Sequence, residues 1–213
     1  MNYKPKSGYY GQFSTDCLIE LYFPSKSVGN CVEVGAANGL RGSNTLYFED
    51  LGWRTLCIEP NPAYYKIIEE TRRESVECAC GATNQLVAEF TVFDIGSKNI
   101  MSSVSGLVPD ERLIELHQDI INDKHKIQVQ VRTLDSILTE RKFSKGIDFI
   151  SIDTEGTELD VLKGLDLTYW DVSLLVVENN YNDPQIEEYL KPLGYFKDAR
   201  WKINDFYIKE GAK

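Results

Sequence analysis

Apolar positions in this chain fall into short unbroken runs, each followed by a stretch of helical period. Residues 30–35 form the first run and break into a turn carrying Gly35, Ala36, Ala37 and Gly39. Ser43 and Asn44 stand as caps for a helix reaching about Leu51, which Gly52 closes. Residues 54–58 make a second run, Pro62 opens a helix over 62–73, and a third run covers 75–80 before Gly81. Upstream, Ser14 or Thr15 caps a helix over about 15–23 that Pro24 ends. Strands alternating with helices in this succession predict a parallel α/β sheet.

The pattern then changes. Residues 86–93 and 127–133 alternate apolar and polar side chains, as strands with one wet face do. Between them the chain is polar, with Ser97, Asn99, Ser102, Ser103 and Ser105, and then a helix is predicted from Pro109 to about Asn122. We read 94–126 as an insertion that caps the sheet and carries both histidines, His117 and His125. The α/β rhythm resumes with a helix over 134–140, a strand over 147–152, a helix over 157–164, a strand over 172–177 and a helix over 184–192. The alternating tail 203–209 predicts an antiparallel strand at the sheet edge.

Composition narrows the function classes. The 213 residues suit one domain, 1–213, with a core of its own. A formal charge of −10 and no basic stripe disfavour bulk binding to nucleic acid or to an anionic membrane. No apolar run approaches a membrane span, and the first residues lack the apolar segment of a secretion signal. The five cysteines fall in no metal-binding spacing and read as free thiols in a reducing cytoplasm.

Chemistry gathers at the strand ends. Ligands of open α/β sheets sit outside the carboxyl ends of the strands. Glu33 lies just inside the first such end, Glu59 ends the second strand, and Asp153 and Glu178 follow the later two. The turn Glu33-x-Gly35-x-x-x-Gly39 is neither a dinucleotide fingerprint nor a phosphate loop. A bare turn next to acids, with no phosphate cradle, suits a cationic, phosphate-free nucleoside, and S-adenosylmethionine is such a ligand. Glu59 is placed to accept a ribose diol. Asp153, Glu155 and Glu158 crowd within six residues, more acid than a helix start needs, and a sulfonium or a divalent metal would balance them.

Taken together, VEVGAANG with GSNT, WRTLCIEPNP at 53–62, TLDSIL at 133–138 and IDFISIDTEGTELDVLKG at 147–164 resemble the FkbM-type S-adenosylmethionine-dependent methyltransferases over roughly residues 8–195. The resemblance implies a Rossmann-like class I fold: a seven-stranded, mostly parallel sheet with an antiparallel last strand. It implies cofactor contacts at Glu33, Gly35, Asn38 and Glu59, with Ala36, Gly39, Ser43 and Pro60 beside them. Further contacts are implied at Gly81 and Ala82 and at Asp153. The implied reaction is O-methylation of a sugar or natural-product hydroxyl. Related sugar methyltransferases hold a divalent cation with strand-end acids, which here implies Asp153, Glu178 and Asn179, with Asn in place of a second acid.

For catalysis, Asp153 is the leading base or metal ligand, with Glu155 and Glu178 as partners and His117 as a second candidate base. Tyr9, Tyr10 and Trp201 could stack on an acceptor ring. Two other readings share parts of this pattern. An RNA 2′-O-methyltransferase would need lysines around Asp153 and a basic groove. A non-catalytic scaffold would keep the fold without the cofactor.

Overall fold

The computed structural model describes residues 8–95, 105–108, 111–119 and 121–211, apart from the side chains of Asp94, Ile95, Leu113, Leu116, His117 and Asn122. In chain order the elements are α1 (Thr15–Glu20), β1 (Asn30–Val34), α2 (Leu46–Asp50), β2 (Arg54–Ile58), α3 (Pro62–Thr71), β3 (Ser75–Val76) and β4 (Ala79–Cys80). The insertion contributes β5 (Gln85–Ile95), α4 (Glu111–His117) and β6 (Ile121–Arg132). Then follow α5 (Leu134–Glu140), β7 (Phe149–Ile152), α6 (Glu158–Lys163), α7 (Leu167–Trp170), β8 (Leu174–Glu178), α8 (Gln185–Leu190), β9 (Tyr195–Trp201) and β10 (Asn204–Lys209).

Seven strands form one sheet in the order β3-β2-β1-β7-β8-β10-β9. The first five are parallel, and β10 is antiparallel to both β8 and β9. This is the expected Rossmann-like architecture. One expectation is corrected: β10 is not an edge strand. It is wedged between β8 and β9, five of its six residues are buried, and β9, which sequence alternation did not reveal, takes the edge. The alternation read in 203–209 is overridden because helices cover one sheet face and α1 the other.

Period 2 sorts the core into two layers. Val32, Val34, Ile150, Ile152, Leu175 and Val177 pack with Leu134, Ile137, Val161, Leu162, Ile186 and Leu190 of α5, α6 and α8. On the opposite face Cys31, Phe149, Leu174, Val176 and Phe206 meet Ile19 of α1 and Phe48 of α2. Each such residue contributes about 1.5–3 kcal/mol of burial.

The insertion is a separate three-stranded sheet, β4-β6-β5. The third predicted strand therefore splits: Ser75–Val76 stay with β2, while Ala79–Cys80 pair with β6. The helix predicted to reach Asn122 stops at His117, since the polar stretch from Ile121 is drawn into a long antiparallel ladder with β5. Cross-strand pairing supplies what the exposed sequence does not advertise. Ser97, Asn99, Ser102, Ser103 and the His117 side chain lie outside the described residues.

Candidate functional site

The strand order reverses between β1 and β7, and the two loops leaving these strands meet there. Contact is so close that a Cβ on residue 35 would sit 1.7 Å from the Asp153 carbonyl oxygen. Gly35 has φ +81°, and Ala37 and Glu155 also lie in the left-handed region, at +46° and +58°. Left-handed non-glycine residues cost about 1–3 kcal/mol each, so both loops are held by something.

The holding groups are visible. Gly35 and Ala36 donate to the Ile58 carbonyl at 3.0 and 3.1 Å. Ala37 N–H donates to Glu59 Oε2 at 2.8 Å, and Asn61 N–H to Glu59 Oε1 at 2.9 Å. Asn38 Oδ1 accepts from the Leu40 and Arg41 amides, which tightens the turn. In the other loop Glu158 Oε1 accepts from the Thr154 and Gly156 amides at 2.9 and 3.0 Å. Glu158 is thus a clasp for the loop.

Because partners in parallel strands share a face, Glu33, Glu59, Asp153 and Glu178 all project to the face that α1 and α2 cover. They divide into two kinds. Glu33 is spent internally: it accepts from Asn44 N–H at 2.6 Å and from the Ser43 and Thr45 hydroxyls at 2.7 Å each, with Arg72 at 3.5 Å. Ser43 is buried between Glu33 and Arg72 and accepts from Leu46 N–H at 3.1 Å. Glu33 and Ser43, expected as cofactor contacts, both hold the turn together through these bonds.

Glu59, Asp153, Glu155 and Glu178 are the other kind. Burial pushes the Glu59 carboxyl up to about 8 against its two backbone donors, and Asp153 adds to the rise. Asp153 is raised to about 6, first by burial, while hydrogen bonding from Glu178 pulls it back. Glu178 goes well above the carboxylate range through burial and then repulsion from Asp153 and Glu155. Of the two, Glu178 is held the more firmly in its neutral form, because burial and the neighbouring acids both oppose its charge.

Carboxylate oxygens of Asp153, Glu155 and Glu178 lie within 4.8 Å of one another, and Glu178 Oε2 is buried with no donor among the described residues. An orphaned buried oxygen among three carboxyls fits a cation or a hydroxyl donor. Asn179, expected as a cation ligand, has its side-chain amide engaged with other protein groups. Its amide donates to Asp205 Oδ2 and the Asp183 carbonyl, and its Oδ1 accepts from Asp183 N–H.

Gly81 follows β4, with its N–H bonded to the Arg132 carbonyl, and Gly164 packs so closely that a Cβ there would lie 2.2 Å from the Gly81 oxygen. Pro60 and Ala82 are half-buried. His125 is exposed on β6. Tyr10 is buried and donates its hydroxyl to Asp50, and Tyr9 is half-buried, donates to Glu20 and packs its ring 4.7 Å from that of Tyr47. Trp201 is exposed and donates to the Phe13 carbonyl at 2.9 Å. The insertion reaches the acids: a Cβ on Gly106 would stand 3.5 Å from the Glu155 carbonyl oxygen, and Arg112 of α4 lies 3.6 Å over the Tyr181 ring.

One residue escaped the sequence reading altogether. Arg72, fully buried, donates to the Gly39 carbonyl, to Ser43 and Thr45, and to Glu49. The signal was Glu33 itself, since an acid inside an apolar strand calls for a counter-charge.

Residues 33–198 match the family described as Methyltransferase FkbM domain. "Methyltransferase 1" of Beauveria bassiana is 27% identical over 161 residues, covering 67% of this chain and 62% of that protein. "Methyltransferase sdnD" of Sordaria araneosa is 30% identical over 128 residues, covering 48% and 49%. The chain thus spans only about half to three-fifths of the length of these relatives. Among solved structures, TrmK of M. capricolum, bound to S-adenosyl-homocysteine, overlaps with TM-score 0.44 at 9% identity, covering 90% of this chain and 66% of that one. A precorrin-6y C5,15-methyltransferase of Geobacter metallireducens overlaps at 0.46 and 11%, covering 97% and 92%.

Proposed function

Because the chain belongs to the FkbM methyltransferase family, we propose that it moves a methyl group from S-adenosylmethionine to a hydroxyl of a sugar or small natural product. The observation that carries this reading is the gathering of Glu59, Asp153, Glu155 and Glu178 beside a bare, preset turn at the sheet's switch point.

The residues fit the cofactor. The small turn 35–39 admits close approach, and Glu59, buried and reluctant to ionise, suits a ligand offering hydroxyl donors beside a positive centre. Gly35, Ala36, Asn38, Gly39, Glu59 and Pro60 would hold it from the β1–β2 side, and Gly81 and Ala82 from the β4 side. When bound, S-adenosylmethionine supplies an electrophilic methyl on a sulfonium. The protein's share is alignment, which can be worth roughly 7–11 kcal/mol, and a base. Asp153, ionised above pH about 6, accepts the proton of the acceptor hydroxyl. Glu178, whose carboxylate lies beside that of Asp153 and is held towards its neutral form by burial, lowers the proton affinity of Asp153.

A second reading of the same acids has an observation of its own, the buried Glu178 Oε2 that has no hydrogen-bond partner among the described residues. Asp153, Glu155 and Glu178 would hold a divalent cation such as Mg²⁺, which when bound would fix vicinal hydroxyls of the acceptor and lower their pKa. The charge of −10 and the acid cluster speak against an RNA acceptor, and an intact turn with Glu59 against a scaffold that has lost its cofactor.

The test is a methyl-transfer screen over sugars and hydroxylated metabolites, with Mg²⁺ and with chelator. Wild-type protein should give product with a rate that rises through pH about 6, and D153N should lose about 10²–10⁴-fold. D153N turning over at the wild-type rate sinks the base assignment. Product formed equally with chelator sinks the cation.

A further inference from the structure

The turn that would receive the cofactor is held in part from outside its own sequence. Its far side hangs on one side chain from the end of α3. Arg72 follows the last residue of α3, its N–H still bonded to the Ile68 carbonyl, and adopts an extended conformation that turns its side chain inward. Nη1 donates to the Gly39 carbonyl at 2.8 Å and to Ser43 Oγ at 3.1 Å. Nη2 donates to Thr45 Oγ1 at 2.8 Å, and Nε to Glu49 Oε2 at 3.1 Å. Glu33 Oε2 lies 3.5 Å from Nη1. Gly39, at φ +68°, leaves room for this: a Cβ there would stand 2.9 Å from Ile68 and 3.2 Å from the Arg72 side chain.

We infer that Arg72 is the positioning residue of the cofactor-binding turn. It touches no ligand. It ties Gly39 and the segment Ser43–Thr45 to Glu33, while Asn61, at the other end of α3, shares Glu59 with Ala37. Helix α3 thus clamps the turn at both of its sides, and the turn stands in its binding shape before the cofactor arrives. The guanidinium fork is what makes this possible. Five contacts lie around one planar group, and a lysine ammonium reaches only some of them. A turn preset in this way spares the ligand the cost of ordering it. The inference rests on the proposed cofactor, and its test needs no acceptor.

Calorimetry with S-adenosylhomocysteine on the full chain, alongside thermal melts, compares wild type, R72K and D148N. Asp148 serves as the control, because it pairs with Lys26 and with Asn30 N–H at the opposite end of the sheet. We expect R72K to bind about tenfold or more weakly, and D148N to melt lower yet bind as wild type. Hydrogen exchange at residues 37–45 of ligand-free R72K should quicken beyond any general rise. If R72K gives no cooperative melt, T45V, which removes one of the Arg72 contacts, is measured in its place with the same expectation. Binding within twofold of wild type by the folded variant overturns the inference. So does loss of affinity in D148N matching that of R72K at equal loss of melting temperature. Folded wild type that binds no S-adenosylhomocysteine overturns the cofactor reading, and this inference with it.

Discussion

Glu59 shows how a single residue reports the state of the site. Its carboxyl is buried and titrates at about 8 in the folded protein against 4.5 ordinarily. Between those values the folded chain binds more protons than the unfolded one, so stability falls as pH rises. The contribution is complete below pH about 4.5 and is gone once pH has passed about 8. A shift of this size corresponds to no more than roughly 5 kcal/mol. Thermal melts of the ligand-free protein should therefore drop between pH 5 and 9, and E59Q should flatten that slope. An equal slope in E59Q would assign the titration elsewhere. Gly35 is the second residue whose identity the site dictates. G35A places a methyl group against the Asp153 carbonyl at positive φ, and should cost roughly 3–5 kcal/mol in urea unfolding while abolishing S-adenosylhomocysteine binding. Of these roles, that of Gly35 was readable from a strand-end glycine. The titration of Glu59 was not, because it arises from the desolvation that every packed element imposes on it.

Among the elements, β10 does more than close the sheet. Asp205, fully buried on it, receives Arg200 at 2.7 Å and Lys197 at 2.9 Å from β9 and the Asn179 amide at 2.8 Å from the loop after β8. The interior strand thereby fixes the start of the loop that follows Glu178. D205N should destabilise the fold by about 2–4 kcal/mol in urea, less than a wholly buried pair costs because both cations retain partial access to water. Hydrogen exchange should rise first at residues 179–183; a uniform rise would mean that Asp205 serves the sheet alone. The sequence pattern located this strand and its antiparallel sense but put it at the edge. Burial on both faces is decided by what packs there, and β9 pairs with it across a turn that carries no strong sign.

At the scale of the whole molecule, an acidic protein gathers five acids, Glu33, Glu59, Asp153, Glu158 and Glu178, about the ends of neighbouring strands, and the fold tolerates this by treating them differently. Glu33 and Glu158 are neutralised or satisfied inside their loops. Glu59, Asp153 and Glu178 keep raised proton affinities, which a cationic ligand would relieve. The insertion meets the loops after β7 and β8 through Gly106 beside the Glu155 backbone and Arg112 on Tyr181, while the helices on both faces pack against the sheet.

Sequence by itself determined the alternation of strands and helices, the parallel sheet, and the presence of Glu59, Asp153 and Glu178 at strand ends on one side. Those facts follow from local periodicity and from the way parallel strands share faces. Tertiary structure alone decided which acids turn outward, that Arg72 answers Glu33, that Asn179 serves Asp205, and that β10 lies within the sheet. Hydrogen-bond partners dozens of residues apart, and desolvation by the assembled core, exist only once the chain has closed on itself.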